Sequence, residues 1–163
     1  WIVVHGASPW NGNAYTDKLI AYLLTADGIQ YAAVSPSYSV ISPPPPFLTY
    51  PNEYVASFTF SPNGQRMCAI SYAQSLGQWA NIYDFNNATG AFTYINHVFP
   101  AGLHITCEFS PNSQYLYFQK SATIIRQYDL STWMYGYVAL AAGMTNNFGF
   151  AMQTGPDGRI YFG

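Results

Sequence analysis

Apolar positions along this chain gather in short, often unbroken runs separated by turn-forming residues. Residues 55–60, 66–71, 79–85 and 91–95 are rich in β-branched, aromatic and aliphatic side chains. Such runs read as buried or half-buried β-strands. Ser61-Pro62-Asn63-Gly64 separates the first two. There Pro fixes φ, and Asn and Gly accept positive φ. Asn86-Asn87-Ala88-Thr89-Gly90 separates the last two. Four strands within about 45 residues are the content of one propeller blade.

The pattern repeats. Phe58-Thr59-Phe60-Ser61-Pro62-Asn63-Gly64 returns as Cys107-Glu108-Phe109-Ser110-Pro111-Asn112-Ser113, and in weaker form as Met152-Gln153-Thr154-Gly155-Pro156-Asp157-Gly158. The marker prolines Pro62, Pro111 and Pro156 are spaced by 49 and 45 residues. Tyr83-Asp84-Phe85 recurs as Tyr128-Asp129-Leu130, again 45 residues on. Two independent markers on one beat predict a repeat architecture. The second repeat predicts strands at 103–109, 115–119, 124–130 and 134–139. A third begins with 148–154 and 159–162. Ahead of the first full repeat, 1–5, 19–25 and 29–34 match the second, third and fourth strands of a blade.

The expectation is an all-β chain: a β-propeller fragment of about three four-stranded antiparallel blades, starting and ending within a blade. Its divisions are 1–34 (strands two to four of a blade), 35–52 (a Pro-rich connector), 53–96 and 97–140 (full blades), and 141–163 (the first two strands of a blade). Propellers close with typically four to eight blades. The expected partners are therefore the remaining blades of a parent propeller, or other chains. An open stack or a sandwich of the same strands is the alternative.

Composition narrows the function. Of the 163 residues only 7% are charged, against roughly 25% in an average domain, and the formal net charge is −2. No basic footprint for nucleic acid or polybasic membrane patch is expected. Aromatics reach 18%, which argues against disorder. No apolar run approaches the ~18 residues of a membrane span. Phosphate loops, nucleophile elbows, zinc spacings and dinucleotide fingerprints do not occur. The expectation is therefore no metal, no cofactor and no catalytic residues. Cys68 and Cys107 are either two buried thiols or, in an oxidising compartment, a bridge.

The order Trp1-Ile2-Val3-Val4-His5, Ala21-Tyr22-Leu23-Leu24-Thr25-Ala26-Asp27-Gly28-Ile29, the two Phe-Ser-Pro-Asn turns, Tyr128-Asp129-Leu130 and Gly155-Pro156-Asp157-Gly158-Arg159-Ile160-Tyr161 covers nearly the whole chain. In that order it resembles the WD-repeat-like β-propeller regions of large bacterial secreted and surface proteins that carry a C-terminal sorting domain for type IX secretion. The resemblance implies an extracellular or cell-surface propeller; a binding or adhesion scaffold is the function expected of such a module. It departs from the group's turn pattern at Ser113, where Gly is usual.

Candidate site residues are few. Thr59, Glu108 and Gln153 hold equivalent places in the presumed innermost strands, and His104, Thr106 and Glu108 share one strand face. A His and a carboxylate on one face suit metal binding or proton transfer, although Glu108 better suits inter-blade hydrogen bonds or the lining of a central channel. Trp10 on a polar loop suits sugar stacking, and Tyr38, Phe47 and Tyr50 on the Pro-rich segment suit recognition. Asp84 and Asp129, once per blade, read as structural. Three functions follow: a non-enzymatic interaction module for protein or glycan; part of a propeller enzyme, lactonase or glycan-cleaving, completed by further blades; or an assembly unit completed by other chains.

Overall fold

The computed structural model describes residues 1–6, 18–30, 53–73, 77–98, 106–121, 124–139 and 151–162. The proposed connector 35–52 lies outside them. Thirteen strands are formed among the described residues, joined into four antiparallel sheets. The first sheet contains β1 (Ile2–Gly6), β2 (Lys18–Thr25) and β3 (Gly28–Gln30). The second contains β4 (Glu53–Phe60), β5 (Arg66–Ala73), β6 (Gly77–Asn86) and β7 (Ala91–Val98). The third contains β8 (Cys107–Phe109), β9 (Tyr115–Ser121), β10 (Ile124–Asp129) and β11 (Tyr135–Ala139). The last pairs β12 (Met152–Thr154) with β13 (Ile160–Phe162). Within every sheet each strand pairs with the next in sequence, an up-and-down order.

Strand alternation explains how the sheets stack. On β5, Met67 and Ala69 face one way, while Cys68 and Ile70 face the other. Met67 and Ala69 join Tyr83, Phe85 and Phe92 in a core closed by Ala21 and, at its margin, Trp1 and Val3 of the first sheet. Cys68 and Ile70 join Ala80, Ile82 and Val98 in a core closed by Cys107, Phe109, Leu116, Phe118 and Tyr128 of the third sheet. The second sheet is therefore buried on both faces. Its neighbours are different sheets, which a two-layer sandwich does not provide. The first strands β4, β8 and β12 lie side by side in sequence order. Up-and-down sheets stacked face to face, with their first strands adjacent, are consecutive blades of a β-propeller.

A bulge in β7 serves both cores. Ile82 pairs with Asn96 and Tyr83 with Tyr94, so Ile95 is the extra residue. An unbroken strand would send 92, 94, 96 and 98 to the same face. The extra residue lets Phe92 and Tyr94 meet the first sheet while Val98 meets the third.

The repeated turns are built alike. Ser61 Oγ accepts the Arg66 N–H at 2.9 Å and donates to Asn63 Oδ1 at 2.7 Å. Ser110 Oγ accepts the Tyr115 N–H at 2.9 Å and donates to Asn112 Oδ1 at 2.6 Å. In the third turn Asp157 Oδ1 takes the Arg159 N–H at 3.1 Å, and Asp157 Oδ2 accepts from the Tyr161 hydroxyl at 2.8 Å. Gly155 stands where the other turns have Ser, because a Cβ there would come within 2.5 Å of the Tyr161 ring.

Ser113 occupies the left-handed position that Gly64 and Gly158 take in the other turns, with φ 61 against 67 and 74. For an L-residue that conformation costs about 1–2 kcal/mol. The hydroxyl offsets the cost by accepting the Asn63 N–H of the preceding turn at 3.2 Å. It thus links one blade's turn to the next. Ser113→Ala, which keeps the strain and loses the bond, is expected to lower stability by about 1 kcal/mol in urea melts. Ser113→Gly, which loses both, is expected to stay within about 0.5 kcal/mol of wild type. Equal losses in the two variants would contradict this balance.

Candidate functional site

Glu108 lies at the centre of β8, opposite Tyr117. Its neighbours Cys107 and Phe109 point back into the core against the second sheet. Alternation therefore turns Glu108 forward, toward β12. Only 8% of it is exposed. Oε1 accepts the Phe109 N–H at 3.1 Å, and Thr154 of β12 lies against the carboxylate. The Thr154 hydroxyl lies 3.4 Å from the Phe109 carbonyl oxygen as well. Glu108 thus joins two first strands that are far apart in sequence. Burial raises its carboxyl above the usual 4.5, and the polar groups of Phe109 and Thr154 only partly oppose that.

The other repeat carboxylates diverge despite their equivalent positions. Asp84 lies across from Arg66, and Asp129 across from Tyr115. The backbone beside them is the same in both blades: Phe85 N–H donates to Gln65 O at 2.7 Å, and Leu130 N–H to Gln114 O at 3.0 Å. Their side chains differ. Asp84 forms an exposed ion pair with Arg66 Nε at 3.4 Å. Asp129 accepts from the Ser131 hydroxyl at 2.6 Å and the Ser131 N–H at 2.8 Å. Those bonds hold its carboxyl below the usual range.

Between the turn ends of the second and third sheets a cleft of about 340 Å³ is lined by Arg66, Ser113, Gln114, Tyr115, Asp129 and Ser131, with Leu130. Donors, acceptors, one aromatic ring and a cation converge there. Of this group sequence reasoning singled out Asp129, as structural, and Ser113, as a turn residue where Gly is usual. Arg66 and Ser131 carry no motif, and their roles appear only when strands pair and turns close.

Of the residues singled out from sequence, His104, Trp10, Tyr38, Phe47 and Tyr50 lie outside the described residues. Thr106, buried, immediately precedes β8. Pro62, Pro111 and Pro156 each occupy the turn between the first and second strand of a sheet. Among the described residues no three His, Cys, Asp or Glu side chains cluster to hold a metal ion. Nor is any helix long and apolar enough to cross a membrane.

Solved structures share the arrangement. A Lactobacillus plantarum protein superposes with a TM-score of 0.56 at 17% identity, over 95% of this chain and 45% of its own length. Two Bacteroides proteins whose 6-phosphogluconolactonase activity is inferred are also similar. The one from Bacteroides uniformis gives a TM-score of 0.53 at 17% identity, over 80% of this chain and 38% of its own. The one from Bacteroides fragilis gives 0.52 at 13%, over 77% and 34%. The chain thus spans less than half the length of each. No family model matches it, and no curated protein matches its sequence. The likeness shows a propeller-like fold.

Glu108 makes stability depend on pH with a definite sign. Its carboxyl is raised on folding, so its contribution is full below 4.5 and is lost as pH rises through the folded value. Asp129 and Asp157 are lowered, so theirs is present above 3.8 and is lost as pH falls through their folded values. Glu108→Gln is expected to lack the loss above pH 4.5. The stability difference between variant and wild type, measured by urea melts, should shift in the variant's favour across that window. A difference independent of pH would contradict the assignment.

Proposed function

We propose that this chain is part of a non-enzymatic, extracellular β-propeller interaction module, and that its ligand is a hydroxyl-rich glycan or a glycosylated protein surface. The observation that carries the reading is the polar cleft between the second and third sheets. A guanidinium, a carboxylate, hydroxyls, an amide and a Tyr ring suit sugar hydroxyls and a sugar face. The strand and turn carboxylates support it from the other side. Asp84, Glu108, Asp129 and Asp157 all accept hydrogen bonds from the chain itself. The cell-surface placement, with export by type IX secretion, rests on the order of repeat elements read from the sequence. Further blades, from flanking sequence or from other chains, would complete the ring.

A second reading is a propeller enzyme of the lactonase type, with a site completed by further blades. Its support is the fold likeness to the two Bacteroides structures, at 13% and 17% identity. The two readings separate on one preparation of the protein. Glycan-array screening followed by calorimetry is expected to find a ligand whose affinity falls about tenfold in Arg66→Ala, the loss of roughly one charge-assisted hydrogen bond. Binding indifferent to Arg66, or no glycan bound at all, would contradict the cleft reading. Turnover of 6-phosphogluconolactone above the buffer rate would establish the second.

A further inference from the structure

Cys68 and Cys107 are the only two cysteines of the chain, and they belong to different blades. Cys68 is on β5, opposite Thr59 and Ile82. Cys107 opens β8, opposite Phe118. Both point into the core between the second and third sheets, with exposures of 0% and 2%. There burial, and Cys68 beside it, push the Cys107 thiol up. Two buried thiols that face one core from adjoining blades, on strands fixed by their ladders, are the pair that a disulfide across this interface would join.

We propose that Cys68 and Cys107 form an inter-blade disulfide, a covalent staple closing the core between the second and third sheets. The staple goes beyond the binding reading and stands without it, since it depends on two sulfurs alone. The oxidant is a disulfide: a dithiol–disulfide oxidoreductase in its oxidised form, or glutathione disulfide. One Cys thiolate attacks that disulfide, forming a mixed disulfide and expelling one thiol. The second Cys thiolate then attacks the protein sulfur of the mixed disulfide and expels the other thiol. Two electrons pass to the oxidant, which leaves as two thiols, and the two protons of the cysteines go with them.

The surroundings dictate when this happens. Burial pushes the Cys107 thiol well up, so little thiolate exists in the packed state. No oxidant reaches sulfurs with almost no exposed surface. The bond therefore forms as the blades come together, before the core closes, and once made it is shielded from reductants. The bridge closes the loop from Cys68 to Cys107, which contains β6 and β7. By loop-entropy arguments it should raise the urea midpoint by roughly 1–3 M.

The test is refolding of the full chain from urea in a glutathione and glutathione disulfide buffer, followed by non-reducing peptide mapping. The expected product is a monomer two hydrogens lighter, with the peptides of Cys68 and Cys107 joined. It should have a higher urea midpoint than the same protein refolded in dithiothreitol. The reduced, folded protein should react with a thiol reagent only on unfolding. The mapping uses the unaltered chain, so it does not depend on any variant folding. Cys68→Ala and Cys107→Ala, each refolded in both buffers, should lose the difference between buffers. Free thiols after oxidative refolding, glutathionylated cysteines without the cross-link, or only intermolecular dimers would overturn the proposal.

Discussion

The structure depends on a four-stranded sheet with two apolar faces. A sheet with one apolar face settles against a single partner and leaves the other side to water. The β4–β7 sheet offers Met67, Ala69, Tyr83, Phe85 and Phe92 on one face and Cys68, Ile70, Ala80, Ile82 and Val98 on the other. Leaving either face wet would forfeit about 25 cal/mol for each Å² of apolar surface. It therefore takes a sheet on each side, and the twist of each sheet turns the stack around an axis lined by first strands. The bulge at Ile95 belongs to the same requirement, since it divides one strand's side chains between two cores.

Contacts between blades lock this stack with groups that are not apolar. Ser113 accepts from the preceding turn, the Thr154 hydroxyl donates to the Phe109 carbonyl beside Glu108, and the two thiols share one core. At the other edge the Trp1 indole N–H donates to Asn87 O at 3.0 Å, with its ring pressed on Gly90. A Cβ at Gly90 would come within 2.5 Å of that ring, and its φ of +71 suits glycine as well. With only 7% charged residues, the chain holds its blades together chiefly by buried apolar side chains, with hydroxyls and backbone amides locking the contacts.

Local features of this architecture were legible in the sequence, and long-range ones were not. Ser61-Pro62-Asn63-Gly64 and its two echoes marked the turns because proline and glycine act on their own backbone. The strands followed from short apolar runs bounded by turn signals. The spacing of Asp84 and Asp129 gave the repeat, yet their side chains took different partners, Arg66 in one blade and Ser131 in the other. Those choices depend on what the facing strand or turn supplies. Glu108 stood out as a carboxylate in an apolar strand, but its partner Thr154 becomes visible only when blades stack. Ser113 read as a poorer turn residue than glycine. Its hydroxyl's task, on a turn fifty residues earlier, has no local signal.

The central claim is that the two faces of β5 and β6 meet two different sheets. Methyl nuclear Overhauser spectroscopy on selectively labelled protein tests it most directly. The account predicts that the Ala21 methyl connects to the Met67 and Ala69 side, while the Ile70 and Ile82 methyls connect to Leu116. Cross-peaks from only one of these faces, or both sets leading to one sheet, would mean a two-layer packing and would contradict the propeller arrangement.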